Sequence, residues 1–221
     1  MIDYLKIKKT ARVVIEGNDN PDLKSVWLIA HGYGQLATFF INKFSKLVSA
    51  ENMFVLPEGL HRYYLNGFTG KIGASWMTQE EREKDIEDYC NYLDTVYKKY
   101  IYPLGKNVTV NVLGFSQGGA TICRWAVNTG YRIDNLILWG SMIPPDVFPP
   151  IGKEQNVLKL KNLNWHYVAG DNDEFLSEKR RVEQLEILES HGITPNSIHY
   201  NGIHDILEEP LILLNKNVLN K

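Results

Sequence analysis

Short apolar segments that alternate with longer amphipathic ones constrain the fold of this chain more than any other feature of its sequence. Two of them, residues 26–30 (VWLIA) and residues 136–139 (LILW), are apolar throughout. Such a run is typical of a strand in a parallel sheet covered by helices, because both of its faces are buried. The pattern predicts strands over residues 12–16, 25–30, 53–56, 108–114, 136–139, 165–169 and 197–200.

Amphipathic segments between these strands predict the helices. The longest covers residues 80–100, and another, over residues 177–191, ends at Gly192, which is a good helix stop. The remaining helices are predicted over residues 39–48, 118–128 and 207–219. This alternation predicts an α/β fold with a mostly parallel central sheet flanked by helices, and such sheets bind ligands at the carboxyl ends of their strands.

Two stretches match no regular element. Residues 57–77 are rich in glycine and aromatic residues, and residues 141–153 contain four prolines. Each stretch follows a predicted strand, so each is expected at the carboxyl edge of the sheet. Loops at that edge are the natural walls of a substrate pocket.

Length and composition limit the classes of protein to which the chain can belong. With 221 residues we expect a single domain over residues 1–221, and a net charge of −2 gives no reason to expect a nucleic-acid or anionic-membrane partner. No apolar run has the length of a signal peptide or a membrane span, which favours a cytoplasmic protein without stable membrane insertion. Cys90 and Cys123 lie in predicted helices, and we expect both to be reduced because a chain of this size needs no disulfide.

The segment GFSQG at residues 114–118 contains the pattern Gly-x-Ser-x-Gly between a predicted strand and a predicted helix. A sharp strand-to-helix turn strains the serine backbone and exposes its hydroxyl, and the glycines remove side chains that would collide there. We therefore predict that Ser116 is a nucleophile and that the backbone amide of Gln117 donates to the oxyanion of a tetrahedral intermediate. The alternatives are a plain turn with Ser116 as N-cap and a phosphate-binding loop, which the lack of a following lysine disfavours.

A serine nucleophile needs a base, and His204 is the histidine whose predicted position fits best. It follows the last predicted strand, which places it at the same edge of the sheet as Ser116. An acid that orients the histidine is expected between them in the chain. We choose Asp173 over Asp171, whose short side chain suits capping of the turn, and Asp146 is an outside candidate.

A second oxyanion donor is expected from a loop after an early strand. The segment HGYGQ at residues 31–35 follows the predicted strand 25–30, and its glycines allow a tight turn. The backbone amide of Tyr33 is the predicted donor, and His31 is expected to stabilise the turn. A plain glycine-rich turn is the alternative.

Taken together, HGYG at 31–34, GFSQGGA at 114–120, GDND at 170–173 and GIH at 202–204 resemble the phospholipase/carboxylesterase family of α/β-hydrolases. This family includes acyl-protein thioesterases and small bacterial carboxylesterases. The resemblance covers about residues 25–208. It implies an α/β-hydrolase fold, the triad Ser116, Asp173 and His204, an oxyanion hole formed by the Tyr33 and Gln117 amides, and no metal or organic cofactor. The chain has no long insertion that would form a cap domain.

The sequence departs from the family at two places. The family has aspartate after its His-Gly-x-Gly, where this chain has Gln35, so the first turn is expected to be held differently. Residues 60–68 and 144–150 also match the family poorly. Because these loops build the acyl pocket, the resemblance says least about substrate preference.

The expected function is hydrolysis of carboxylic esters through an acyl-enzyme on Ser116, with a small-molecule or acylated ester as substrate. Alternatives are a thioesterase or peptidase with the same triad, and a non-catalytic binding protein of the same fold. Exposed aromatic residues would also allow a homodimer. The pocket-lining candidates, which could equally belong to the core, are Tyr63, Tyr64, Phe68, Trp76 and Met142.

Overall fold

A central sheet of seven strands organises the computed structural model of this chain, which describes residues 1–148 and 154–219, without the side chains of 154–157. The spatial order is β1-β3-β2-β6-β7-β8-β9. Strand β1 pairs antiparallel with β3, and all other neighbours in this sheet are parallel. The strands are β1 (Val13–Glu16), β2 (Ser25–Ala30), β3 (Asn52–Pro57), β6 (Thr109–Phe115), β7 (Asn135–Trp139), β8 (Asn164–Gly170) and β9 (Asn196–Tyr200). The predicted parallel sheet and its strands are therefore confirmed.

Helices cover both faces of this sheet. They are α1 (Ala37–Phe40), α2 (Arg82–Tyr100), α3 (Gln117–Asn128), α4 (Glu154–Lys161), α5 (Glu178–Ser190) and α6 (Glu208–Leu219). Short 3₁₀ helices follow α1 and α2, over Ile41–Leu47 and Tyr102–Leu104. The helical stretch predicted over 39–48 is thus mostly 3₁₀, and α4 is a helix that the pattern did not predict.

Two hydrophobic clusters, one on each face of the sheet, form the core. Alternate residues of β2 belong to different clusters: Val26 and Leu28 pack with the cluster that includes α2 and α3, whereas Trp27 and Ile29 pack with the cluster that includes α1 and α6. All six residues of β2 are buried. The continuous apolar run in the sequence therefore reflects a strand with two buried faces.

The stretch 57–77, predicted to be irregular, contains a β-hairpin instead. Strands β4 (His61–Tyr64) and β5 (Ile72–Ser75) pair antiparallel in a separate two-stranded sheet. An isolated bridge between Gln35 and Ala74 connects the hairpin to the loop that follows β2. Of the second predicted loop, residues 141–148 are irregular, and residues 149–153 lie outside the described part of the chain.

Both cysteines are free, as expected: Cys90 lies in α2 and Cys123 is buried in α3. Across residues 1–148 and 154–219, we find no helix with the length and apolar character needed to cross a bilayer.

Candidate active site

Ser116 lies at the carboxyl end of β6, directly before α3, in a strained backbone conformation. Its φ of 53° and ψ of −119° fall in a region that non-glycine residues rarely adopt. The Ser116 amide donates to the carbonyl of Trp139 at the end of β7, at 3.0 Å. The strained residue is thus held by the neighbouring strand, as a nucleophile on a strand-to-helix turn requires.

Two glycines of the turn make close backbone approaches possible. A Cβ on Gly114 would lie 2.4 Å from the carbonyl oxygen of Gly118. A Cβ on Gly118 would lie 2.1 Å from the carbonyl oxygen of Ala30, at the end of β2. Gly114 therefore allows the turn itself, whereas Gly118 lets α3 begin against the strand that leads into the 31–35 loop.

The His204 imidazole and the Asp173 carboxylate form a short hydrogen bond at the same edge of the sheet. The His204 Nδ1 atom lies 2.6 Å from Asp173 Oδ2, and the side chains are only 12% and 1% exposed. The other oxygen of Asp173 accepts hydrogen bonds from the amides of Phe175 and Leu176, at 2.9 and 3.0 Å. Each carboxylate oxygen therefore has its own partners, which fixes the direction of the bond to the imidazole.

The imidazole of His204 lies beside the serine turn. Its ring centroid is 4.8 Å from that of Phe115, which directly precedes Ser116, and 4.8 Å from that of Phe175. A Cβ on Gly140, at the end of β7, would lie 3.1 Å from the His204 ring and 3.3 Å from Asp173 Oδ2. Because Gly140 has no side chain, the His204 ring can lie against the end of β7, although His204 follows the edge strand β9, which is two strands away.

The two other candidate acids, Asp171 and Asp146, and the aspartate beside His204 have different partners. Asp171 is exposed and faces Arg181 across 3.8 Å, and no hydrogen bond from its side chain caps the turn. Asp146 binds Arg124 through both carboxylate oxygens, and this contact lowers the pKa of Asp146 to about 2. Asp205, next to the histidine, forms an ion pair with Lys43. Only Asp173 among these four carboxylates contacts His204.

The two predicted oxyanion donors follow adjacent strands, because β2 and β6 are neighbours in the sheet. Tyr33 is three residues beyond β2, and Gln117 is the first residue of α3. Within the described residues, neither backbone amide donates a hydrogen bond to another protein group. The Gln117 N–H lies at the N-terminus of α3, where free amides often bind ligands, and the Tyr33 N–H lies in the loop after β2.

Gln35, the departure from the family pattern, supports the first turn. Its side-chain oxygen accepts a hydrogen bond from the Gly32 amide at 2.8 Å. A neutral carboxamide of Gln35 therefore holds the turn at the position where the family has aspartate.

His31 is buried beneath the same turn and has a structural role, as expected. Its Nε2 atom accepts a hydrogen bond from the Gly59 amide at 2.9 Å, so in the neutral ring the proton is on Nδ1, which lies 2.8 Å from the Gly32 carbonyl oxygen. Burial lowers the pKa of His31 and keeps the imidazole neutral.

The five side chains proposed to line a pocket differ in exposure and in their contacts. Tyr64, Phe68 and Met142 are 46%, 92% and 47% exposed, and the half-buried Tyr63 packs its ring 5.4 Å from that of Tyr33. Trp76 is fully buried and donates its indole hydrogen to the His31 carbonyl, so it belongs to the core and not to an open wall.

A largely apolar cavity of about 620 Å³ lies beside the 31–35 loop. It separates α1 from the β4–β5 hairpin, and none of the five proposed wall residues lines it. Its apolar lining, which sequence reasoning missed, consists of Leu36, Phe39, Phe40, Leu65 and Ile72. The described residues contain no cluster of histidine, cysteine or acidic side chains that could hold a metal ion.

Comparisons with known proteins give matches only among solved structures, since no family model and no curated protein matches the chain. Acyl-protein thioesterase 2 from Zea mays has a TM-score of 0.72 at 15% identity, over 95% of this chain and 100% of that one. Esterase PE8 has a TM-score of 0.70 at 18% identity, over 96% of this chain and 100% of its own. A Bacillus cereus carboxylesterase has a TM-score of 0.67 at 17% identity, over 94% and 93% of the two chains.

This chain has an α/β-hydrolase fold. The similar structures are, by name, a thioesterase, an esterase and a carboxylesterase, and at 15–18% identity the similarity establishes the fold. In this fold the nucleophile, acid and base follow in that chain order after three different strands. Ser116, Asp173 and His204 follow β6, β8 and β9 of this hydrolase fold in the same order.

Proposed function

We propose that the chain is a serine hydrolase of carboxylic esters with Ser116 as its nucleophile. The observation that carries the proposal is the hydrogen bond between His204 and the buried Asp173, formed beside the strained turn of Ser116. A buried carboxylate on one imidazole nitrogen serves to keep a proton there, which leaves the other nitrogen as a base.

In the first half of the reaction, His204 Nε2 takes the hydroxyl proton of Ser116 as Oγ adds to the carbonyl carbon. The carbonyl oxygen becomes an oxyanion that accepts hydrogen bonds from the Tyr33 and Gln117 amides. His204 then gives the proton to the leaving alcohol or thiol, and the acyl group stays on Ser116. Asp173 orients the imidazole and stabilises its charged form throughout.

In the second half, water replaces the leaving group. His204 takes a proton from the water as its oxygen adds to the acyl carbon, and the same two amides hold the new oxyanion. The proton returns to Ser116 Oγ when the carboxylic acid departs. Apart from the substrate and the water, these steps use only side chains and backbone amides of the chain.

The apolar cavity between α1 and the hairpin suits the acyl part of the substrate. Its volume of about 620 Å³ is within the range of small-ligand sites. The maize acyl-protein thioesterase among the similar structures makes a thioester the main alternative to an oxygen ester. We therefore propose an acyl substrate with an apolar chain, whose leaving group is an alcohol or a thiol.

The test is a series of p-nitrophenyl esters, matched acyl thioesters and amides assayed with the wild type and Ser116→Ala. We expect the alanine variant to stay folded and to lose at least about 10³-fold in kcat. Ser45→Ala, at an exposed serine in the first 3₁₀ helix, is the control and should keep wild-type rates. A wild type that binds these substrates without turnover would support a binding protein and contradict the proposal.

A further inference from the structure

The peptide unit between Ser116 and Gln117 is held firmly through its carbonyl oxygen. That oxygen accepts a hydrogen bond from the Ser141 hydroxyl at 2.8 Å and from the Gly119 amide at 3.0 Å. A peptide unit is planar, with its N–H and C=O pointing in opposite directions. Fixing the Ser116 carbonyl therefore fixes the direction of the Gln117 N–H, which the proposed mechanism uses as an oxyanion donor.

Helix α3 leaves room for the Ser141 side chain. Ser141 follows β7 and is only 3% exposed, and a Cβ on Gly119 would lie 2.1 Å from its hydroxyl oxygen. The glycine after the Gly-x-Ser-x-Gly pattern thus makes space for this one hydroxyl. Ser141 lies outside all the sequence motifs that predict the site.

The other oxyanion donor is held in the same manner. The Tyr33 N–H shares its peptide unit with the Gly32 carbonyl, which accepts a hydrogen bond from the buried His31 at 2.8 Å and from the Gln35 amide at 3.3 Å. At each donor, one buried side chain and one backbone amide donate hydrogen bonds to the carbonyl oxygen of the same peptide unit. Hydrogen bonds to a carbonyl also polarise its peptide and make the N–H a better donor.

We propose that Ser141 is a positioning residue of the oxyanion hole. Its hydroxyl holds the 116–117 peptide so that the Gln117 N–H points at the oxygen that becomes negative in the transition state. This inference rests on the proposed function, in which Ser116 is acylated. Because the interaction matters most when charge develops on that oxygen, losing it lowers kcat and leaves substrate binding nearly unchanged.

The test compares the wild type with Ser141→Ala, using ester hydrolysis and the affinity for an alkyl trifluoromethyl ketone. Such a ketone adds Ser116 Oγ to its carbonyl carbon, the serine proton passes to His204, and the former carbonyl oxygen becomes an oxyanion in the hole. We expect kcat and ketone affinity to fall by the same factor, about three- to tenfold, with KM within about twofold of the wild type.

Two further variants separate positioning from general stabilisation. Ser141→Cys keeps a weak donor of similar size and should give an intermediate loss of kcat and ketone affinity. Thr129→Val removes another buried hydroxyl, which donates to Asp94 at 2.6 Å, and should lower the midpoint of thermal unfolding without changing the ketone affinity of the folded protein.

The outcomes distinguish this inference from the proposed function. If Ser116→Ala is inactive but Ser141→Ala keeps wild-type kcat and ketone affinity, or loses activity only in proportion to its unfolded fraction, the role of Ser141 is wrong. If Ser116→Ala hydrolyses esters at the wild-type rate, the proposed function itself is wrong.

Discussion

At the scale of single residues, the most constrained group in the site is the Asp173 carboxylate. One oxygen faces His204 and the other accepts from two backbone amides, and the side chain is almost completely buried. A carboxylate in this position can only be oriented one way. It therefore determines which nitrogen of His204 carries the proton.

Asp173→Asn should lower kcat by a factor on the order of 10³–10⁴, because an amide nitrogen facing Nδ1 favours the wrong tautomer of His204. Steady-state kinetics with a p-nitrophenyl ester measures the loss, and circular dichroism checks the fold. Asp171→Asn, on the same turn but with its carboxylate toward Arg181, should retain nearly all activity. Equal losses in the two variants would contradict the assignment of the acid.

His31 predicts how stability depends on pH. Burial lowers its pKa from the ordinary value of 6.5, so below about pH 6.5 the unfolded chain binds more protons than the folded one. The His31 contribution to stability is fully present above that pH and is lost as the pH falls, by up to about 1.4 kcal/mol per unit.

Urea unfolding of the wild type, His31→Asn and His199→Gln between pH 5 and 8 tests this prediction. The slope of the unfolding free energy against pH should be shallower in His31→Asn. His199→Gln, which removes an imidazole from an exposed position, is the control. An unchanged slope in His31→Asn would show that His31 does not titrate as burial requires.

The sequence selected the residues of the proposed triad more readily than the residues that surround them. Ser116, Asp173 and His204 lie in short motifs whose order in the chain is characteristic, so local patterns were enough to select them. Ser141 and Gly140 act through contacts between neighbouring strands, and Phe175 through its ring against His204. Nothing in a single segment of sequence specifies such contacts between distant segments.

At the scale of elements, long buried strands were predictable and the β4–β5 hairpin was not. The strands of the hairpin have four residues each, and β4 alternates half-buried and exposed side chains without an apolar run. Its location depends on a bridge from Ala74 to Gln35, which lies 39 positions earlier in the chain. Because the hairpin supplies one wall of the apolar cavity, the residues that line this cavity could not be predicted from the sequence either.

The hairpin gives a prediction about acyl-chain preference. Ile72→Trp should fill part of the cavity that Ile72 lines, and should lower kcat/KM for dodecanoyl esters about tenfold more than for acetyl esters. Phe68→Trp, at a 92% exposed position of the same hairpin outside the cavity, is the control. A uniform loss across all chain lengths would place the acyl chain elsewhere.

At the scale of the whole molecule, the order of the strands brings the site together. Strand β6, which carries Ser116, lies between β2, which leads to Tyr33, and β7, which leads to Ser141. The proposed acid and base, Asp173 and His204, follow β8 and β9 on the same side as β7. Because all five strands are parallel, their carboxyl ends meet at one edge, and segments separated by up to 171 positions converge there.

The most direct test of this convergence is peptide mapping by mass spectrometry after the folded protein reacts with a fluorophosphonate. We predict one adduct per chain, on Ser116, and no adduct in Ser116→Ala or in protein unfolded by urea beforehand. A reaction at least about 10³-fold slower is predicted for His204→Ala. Folded protein that stays unlabelled, or that is labelled equally fast without His204, would contradict the claim that this fold activates Ser116.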